Sequence, residues 1–104
     1  MHEKYISLNS KKIEWKSISG INIVFVADSG EFFELNDTAK VIWDLIRTGQ
    51  MTASDILNKL CEIFSDENKN KLSEDLNEFL KELKKKKIIL EKSKKTRDNY
   101  IELK

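Results

Sequence analysis

The first third of the chain alternates apolar and polar positions, a pattern that is typical of β-strands. Residues 13–19 and 31–35 alternate most clearly, and residues 21–27 form a β-branched and aromatic run that suits a pleated surface. Gly20 and Gly30 lie between these segments, and glycine tolerates the positive φ that tight reversals need. The pattern predicts an antiparallel meander of three strands.

After residue 35 the apolar spacing changes to the i, i+3, i+4 repeat of amphipathic helices. Asn36 or Asp37 can cap a first helix, which Gly49 would end. Thr52 with Asp55 three residues later resembles a capping box and opens a second helix. The apolar positions are Ala39, Val41, Ile42, Trp43, Leu45 and Ile46 in the first helix, and Ile56, Leu57, Leu60, Cys61, Ile63 and Phe64 in the second.

A third and longer helix is predicted to begin at Ser65 or Asp66 and to end near the lysine run 84–87. Residues 5–8 fit an additional short strand, and residues 88–90 fit either an edge strand or a helix end. The order of the main elements, β-β-β-α-α-α, predicts an α+β fold. The apolar stripe of the third helix is Leu72, Leu76, Phe79, Leu80 and Leu83.

The length of 104 residues fits one domain, which we expect to span residues 1–92, followed by a basic, flexible tail over residues 93–104. Residues 1–80 hold nine bases and fourteen acids, whereas residues 81–104 hold ten bases and four acids. The apolar runs are too short to cross a bilayer, which takes about 20 residues. A secretion signal is not evident, and a single cysteine builds no disulfide framework. These features predict a cytoplasmic location.

The residues that most catalytic and cofactor sites need are scarce. The single histidine is His2, next to the terminus, so neither a nucleophile–base pair nor a zinc site of nitrogen and sulfur ligands is expected. Cys61 falls on the apolar face of the second helix and is interpreted as a buried structural residue. The three glycines are far apart and form no phosphate-binding loop. We therefore expect a protein without catalytic activity, metal or cofactor.

Several short motifs follow one another around the first helix. They are Glu31-Phe32-Phe33-Glu34-Leu35-Asn36-Asp37-Thr38-Ala39, Ile42-Trp43-Asp44-Leu45-Ile46, Gly49 and Ala53-Ser54-Asp55-Ile56. In this order they resemble the PqqD family, which includes the peptide-recognition domains of peptide-modifying systems. A third-helix run from Asp75 to Leu83, followed by Ile88-Ile89-Leu90, also resembles the closing segment of that family. The family usually has glycine just before these last apolar residues, where this chain has Lys87.

The resemblance covers residues 13–90 and implies a winged-helix-like domain that captures the leader of a ribosomally made precursor peptide. It implies as partners that leader and a modifying enzyme, commonly a radical SAM enzyme, a cyclodehydratase or a leader peptidase. It also implies that the guest peptide lies along residues 31–35, in a groove shared with the third helix. By alternation, Phe32 and Glu34 then point away from the core. The candidate contact residues are Glu31, Phe32, Phe33, Glu34, Lys71, Leu72, Asp75, Leu76 and Phe79.

Two other functions are compatible with the predicted architecture. A winged-helix DNA-binding regulator would read DNA with the third helix, but this helix carries many acids and has no arginine, which disfavours contact with phosphates. An assembly subunit would form a homodimer by pairing strand edges or exchanging N-terminal strands. The sequence favours peptide binding, with apolar contacts supplying most of the affinity and rim charges choosing the partner.

Overall fold

The computed structural model describes residues 4–9 and 11–93, so the predicted tail lies outside the described residues except for Ser93. The described elements form an α+β fold with two antiparallel sheets and three helices. The strands are β1 (Lys4–Leu8), β2 (Ile13–Ile18), β3 (Ile21–Val26), β4 (Glu31–Leu35) and β5 (Ile89–Ser93), and the helices are α1 (Asp37–Ile46), α2 (Ala53–Ile63) and α3 (Lys69–Lys85).

The predicted meander is confirmed as a three-stranded sheet in the order β2-β3-β4. Ile13 pairs with Val26 across the first hairpin, and Val26 pairs with Glu31 across the second. Both hairpins turn through glycines at positive φ, with Gly20 at 83° and Gly30 at 74°. Because side chains alternate along each strand, one face of this sheet covers the core and the other faces outward.

A second, two-stranded sheet joins the two ends of the described chain. β1 pairs antiparallel with β5, so that Tyr5 lies opposite Lys92 and Leu8 opposite Ile89. The Ile6 N–H also donates to the carbonyl of Met51 at 2.9 Å, which ties β1 to the residue before the second helix. The two short apolar segments at 5–8 and 88–90 therefore belong to one sheet, separate from the meander.

The first two helices begin at the predicted caps. The side chain of Asn36 accepts from the Ala39 N–H at 2.8 Å. Thr52 accepts from the Asp55 N–H at 3.2 Å, while Asp55 accepts from the Thr52 N–H at 3.1 Å. This reciprocal pair is a complete capping box, in which aspartate replaces the usual glutamate.

The predicted start of the third helix at Ser65 or Asp66 is wrong. The α3 helix begins at Lys69, and its N-cap is Asn68, whose side chain accepts from the Asn70 and Lys71 N–H groups. The preceding residues 64–67 form turns, in which the Glu67 N–H donates to the Phe64 carbonyl at 2.9 Å. The Asn68 side chain satisfies two free amides of the first turn, and these local bonds set the start of the helix three or four residues later than expected.

The helix α3 ends in a Schellman motif that contains a lysine in place of glycine. The Ile88 N–H donates to the Leu83 carbonyl at 2.9 Å, and the Lys87 N–H donates to the Lys84 carbonyl at 3.0 Å. Lys87 has φ 62°, the left-handed conformation that glycine adopts most easily. The lysine therefore holds a backbone conformation that glycine would adopt without a steric cost.

The core lies between the inner face of the meander, the three helices and the second sheet. Trp43 is fully buried, and its ring meets that of Trp15 edge to face with centroids 6.5 Å apart. Cys61 is half-buried and packs on the core. Ile63, expected on the apolar face of α2, is exposed because the helix ends there and Phe64 packs on the core instead. The buried apolar residues are Ile6, Ile13, Val24, Val26, Leu35, Ile42, Trp43, Ile46, Ile56, Leu60, Leu72, Leu76, Leu83, Ile88 and Ile89.

Candidate functional site

Two depressions lie along helix α3, one against strand β4 and the other against the start of helix α1, and we refer to them together as the groove. The depression beside the start of β4 has a volume of about 430 Å³, and the depression beside the start of α1 has a volume of about 490 Å³. The first is lined by Gly30, Glu31, Phe32, Phe33, Glu82 and Lys86. The second is lined by Asn36, Thr38, Ala39, Ile42, Lys71, Asp75, Glu78 and Phe79.

The backbone of β4 presents an edge beside this groove that pairs with no other described strand. The Ala27 N–H donates to the Lys12 carbonyl at 2.9 Å, so the backbone groups of the preceding residue, Val26, point to β4 instead. The register then assigns the backbone groups of Phe33 and Leu35 to the bonds with β3. The backbone N–H and C=O groups of the alternate residues, 32 and 34, point outward from the sheet edge.

The side chains of β4 divide between the core and the outer face of the sheet. Leu35 is buried and Phe33 half-buried, whereas Phe32 is 71% exposed and Glu34 is exposed. Phe32 pairs with Phe25 on the outer face, and Phe25 is 40% exposed. A ring as exposed as that of Phe32 contributes little to folding, so it remains available for contact with another molecule.

One end of the groove is crossed by an ion-pair network around Lys86, which caps the C-terminal end of α3. Its ammonium lies 3.1 Å from Glu31 Oε1 and 3.6 Å from Glu82 Oε2. The hydrogen bond from Lys86 holds the pKa of the Glu31 carboxyl below its ordinary value of 4.5, helped by the charge of the ammonium. The same hydrogen bond raises the pKa of Lys86 above its ordinary value of 10.5. This network joins β4 to α3 where the strand begins.

The other end of the groove carries a separate set of charges on α3. Lys71 Nζ lies 3.6 Å from Asp75 Oδ2, an i, i+4 pair on the exposed face of the helix. Glu78 lines the same depression and forms no ion pair with any residue in 4–9 or 11–93. The rim of this depression is therefore acidic by one charge, whereas its floor includes the apolar side chains of Ala39, Ile42 and Phe79.

Sites for metals and for membrane crossing are not evident in the described part of the chain. Within residues 4–9 and 11–93, no group of three or more His, Cys, Asp and Glu side chains is placed to hold a metal ion. Among the same residues, no helix combines the length and the apolar composition that a bilayer crossing requires. The chemistry of the groove is that of backbone hydrogen bonds, apolar contacts and surface charges.

Comparison with known protein families gives a match that extends from the meander to the last helix. The family described as Coenzyme PQQ synthesis protein D (PqqD) matches residues 22–89, which is more than half of the chain. The chain belongs to the PqqD family. No curated protein sequence matches it.

Solved structures support the same fold for this PqqD-family chain. The structure of TbiB1 in complex with the TbiA(beta) leader peptide is similar with a TM-score of 0.68 and 20% identity, over 80% of this chain and 93% of that one. The structure of lasso peptide synthetase B1 complexed with the leader peptide is similar with a TM-score of 0.69 and 21% identity, over 83% of this chain and 98% of that one. At these identities the comparison establishes that the fold is shared.

The groove of this PqqD-family chain contains most, but not all, of the residues predicted from the sequence. Leu72 and Leu76 are 3% and 2% exposed and belong to the core, so they support the groove from behind. Glu34 lies on the free edge, outside both depressions. The predicted residues that line the depressions are Glu31, Phe32, Phe33, Lys71, Asp75 and Phe79.

The sequence reasoning missed several residues of the groove. Gly30 and Asn36 flank β4 directly, so their positions beside the predicted strand were a usable signal. Lys86 follows Glu82 by four residues, a spacing that predicts their ion pair but not the contact with Glu31. The remaining lining residues are Glu78 on α3 and three residues from the first two turns of α1, which only the tertiary fold brings to α3: Thr38, Ala39 and Ile42.

Proposed function

We propose that this chain is a peptide-binding module that holds the leader of a ribosomally synthesised precursor peptide by strand addition to β4. The observation that carries this proposal is the free edge of β4 next to the groove, with the backbone groups of Phe32 and Glu34 pointing outward. An extended peptide gains main-chain hydrogen bonds at such an edge whatever its sequence. Two similar folds hold leader peptides, which supports the choice of guest.

Specificity in this mechanism comes from the side chains that line the groove. A guest strand places alternate side chains toward the two depressions, so each depression selects one residue of the leader. Phe32 stands at the edge with 71% of its surface exposed and would cover part of the guest. Burial of such a ring contributes about 1.5–3 kcal/mol, which exceeds the contribution of an exposed ion pair.

We further propose that the chain itself is not an enzyme and presents the attached core peptide to a separate modifying enzyme. The described residues contain no metal-binding group, and the charged residues of the groove are engaged in exposed ion pairs or open to solvent. The partner enzyme would be a radical SAM enzyme, a cyclodehydratase or a leader peptidase, acting in the cytoplasm. Tethering the leader raises the local concentration of the core peptide at that enzyme.

DNA binding is disfavoured by the charges on α3. Glu74, Glu78 and Glu82 are exposed on this helix, and carboxylates repel the phosphates that a recognition helix must approach. Titration with mixed duplex DNA at low salt checks this alternative, and we expect no binding.

A homodimer formed through strand edges would appear as a doubled mass in light scattering. If β4 were the edge used, the leader peptide would compete with dimer formation.

A binding experiment with a backbone-directed variant tests the proposed function. The neighbouring open reading frames are first searched for a short precursor. The probe is the fluorescein-labelled leader of that precursor, and the readout is fluorescence anisotropy. Glu34→Pro removes an N–H that points away from β3, so the sheet keeps its own ladder while the guest loses a donor. We expect saturable binding that falls about tenfold in Glu34→Pro. Glu34→Ala is the matched control and keeps the affinity within about twofold.

Two results would argue against strand addition at β4. If the unmodified chain did not bind the leader, the proposed function itself would be contradicted. Equal affinity of Glu34→Pro and Glu34→Ala, with both variants folded by circular dichroism, would place the peptide elsewhere on the protein.

A further inference from the structure

The depression beside the start of α1 combines an apolar floor with a charged rim. Ala39, Ile42 and Phe79 contribute the floor, and Ile42 is almost fully buried at 1% exposure. The rim contains an ammonium group from Lys71 and carboxylates from Asp75 and Glu78. A guest side chain that enters this depression can therefore lay its stem on the apolar floor while its polar end stays at the charged rim.

The ion pairs of the groove leave one lining carboxylate without a counter-ion among the described residues. Lys71 neutralises Asp75 at 3.6 Å, and Lys86 lies between Glu31 and Glu82 at the opposite end of the groove. Glu78 occupies the middle of the α3 face that lines the groove and forms no ion pair within residues 4–9 and 11–93. A cationic group on the guest could therefore form an ion pair with Glu78.

From this geometry we infer that the depression receives a lysine or arginine of the guest peptide, with the aliphatic stem on Phe79 and the cationic head at Glu78. This inference rests on the proposed strand addition at β4 and names the residue class that the groove selects. Lysine and arginine are the side chains that bury an apolar stem while keeping a charge in water. A leucine would cover the floor but gain no partner at Glu78.

The second depression differs because each of its carboxylates already contacts an ammonium, and it suits an apolar guest residue. Its carboxylates, Glu31 and Glu82, already share the ammonium of Lys86, and Phe32 and Phe33 line its wall. Both depressions open into the same groove, so the two anchors lie on the same face of the guest. Because side chains alternate along a strand, the basic and apolar anchors are separated by an even number of positions.

Selection from a random library tests this inference without knowledge of the natural precursor. The probe is a library of twelve-residue random peptides displayed on their own mRNA and selected on the immobilised full chain. We expect lysine and arginine to exceed aspartate and glutamate about threefold to fivefold at one position, with an apolar residue an even number of positions away. A selected basic peptide should then lose about threefold to fivefold in affinity for Glu78→Gln, and the salt dependence should weaken.

A matched variant on the same helix separates this contact from a general effect of charge. Glu74 is exposed on α3 but lines neither depression, so Glu74→Gln removes the same charge one turn away and should leave affinity unchanged. Selection on Glu78→Lys should favour aspartate and glutamate at the same position. Equal losses in the Glu78 and Glu74 variants would overturn the inference.

The failure of this inference is distinguishable from the failure of the proposed function. Selected peptides that are sensitive to Glu34→Pro but show no basic preference would overturn the role of Glu78 and leave strand addition intact. Selected peptides that bind Glu34→Pro as tightly as Glu34→Ala would overturn both.

Discussion

Lys86 Nζ lies 3.1 Å from Glu31 Oε1 and joins the end of α3 to the first residue of β4. The two residues are 55 positions apart in the sequence, and their contact crosses the groove where β4 begins. A guest strand that pairs with Phe32 and Glu34 meets this contact at one end. We interpret the ion pair as the boundary of the groove on that side.

The lowered pKa of Glu31 and the raised pKa of Lys86 predict how the contribution of this ion pair to stability varies with pH. The pKa of Glu31 is lowered, so its contribution to stability is present above the ordinary value of 4.5 and is lost as the pH falls through the lowered pKa. The pKa of Lys86 is raised, so its contribution is present below 10.5 and is lost as the pH rises through the raised pKa. The contact therefore persists across the neutral range.

Lys86→Met should raise the pKa of Glu31 toward 4.5, which a titration of the glutamate side-chain carbons by NMR measures directly. Lys85→Met is the control, because Lys85 is exposed and lies next to Lys86 without contacting Glu31 in the described structure. An unchanged titration midpoint of Glu31 in Lys86→Met would show that the contact does not persist in solution.

Phe32 is predicted to contribute to guest binding rather than to folding. Phe32→Asp should weaken leader binding about tenfold or more, because the exposed ring is lost from the edge where the guest lies. Phe25→Asp is the matched control on the neighbouring strand, directly opposite in the ladder and away from both depressions. Anisotropy titrations with the labelled leader measure both, and circular dichroism checks the fold. Similar losses in the two variants would contradict a specific role for Phe32.

Lys87 is predicted to lower the stability of the fold relative to glycine. Its φ of 62° costs a residue with a side chain about 1 kcal/mol, which glycine avoids. Lys87→Gly should therefore raise the free energy of unfolding by about 1 kcal/mol in urea denaturation. Lys81→Gly, at an exposed position within α3, should lower it by about the same amount. A lower stability of Lys87→Gly would mean that the lysine makes a compensating contact.

Local chemistry made much of the fold predictable from the sequence. Gly20 and Gly30 gave the two hairpins, and Asn36 and the Thr52 and Asp55 pair gave the starts of two helices. Each of these signals acts over two to four neighbouring residues, so the local sequence alone is enough to predict the turn or the helix start. The start of the third helix was predicted wrongly from the same kind of local signal, because several residues between 65 and 68 can cap a helix and the sequence does not rank them.

Contacts between distant parts of the chain could not be predicted from the sequence pattern. The pairing of β1 with β5 joins residues more than 80 positions apart, and no local signal relates Tyr5 to Lys92. For the site, alternation correctly placed Phe32 outward and Phe33 inward, but helical spacing did not separate Phe79 in the groove wall from Leu76 in the core. That distinction depends on how far each α3 residue is rotated from the sheet, which only packing decides.

The most direct test of strand addition is amide hydrogen exchange at β4, measured by NMR with and without the leader peptide. The amides of Phe32 and Glu34 point away from β3, so they should exchange quickly in the free protein and become protected about tenfold or more when the guest strand pairs with them. The amide of Phe33, already bonded within the sheet, should change much less. Saturating peptide that leaves the exchange of Phe32 and Glu34 unchanged would contradict strand addition at this edge.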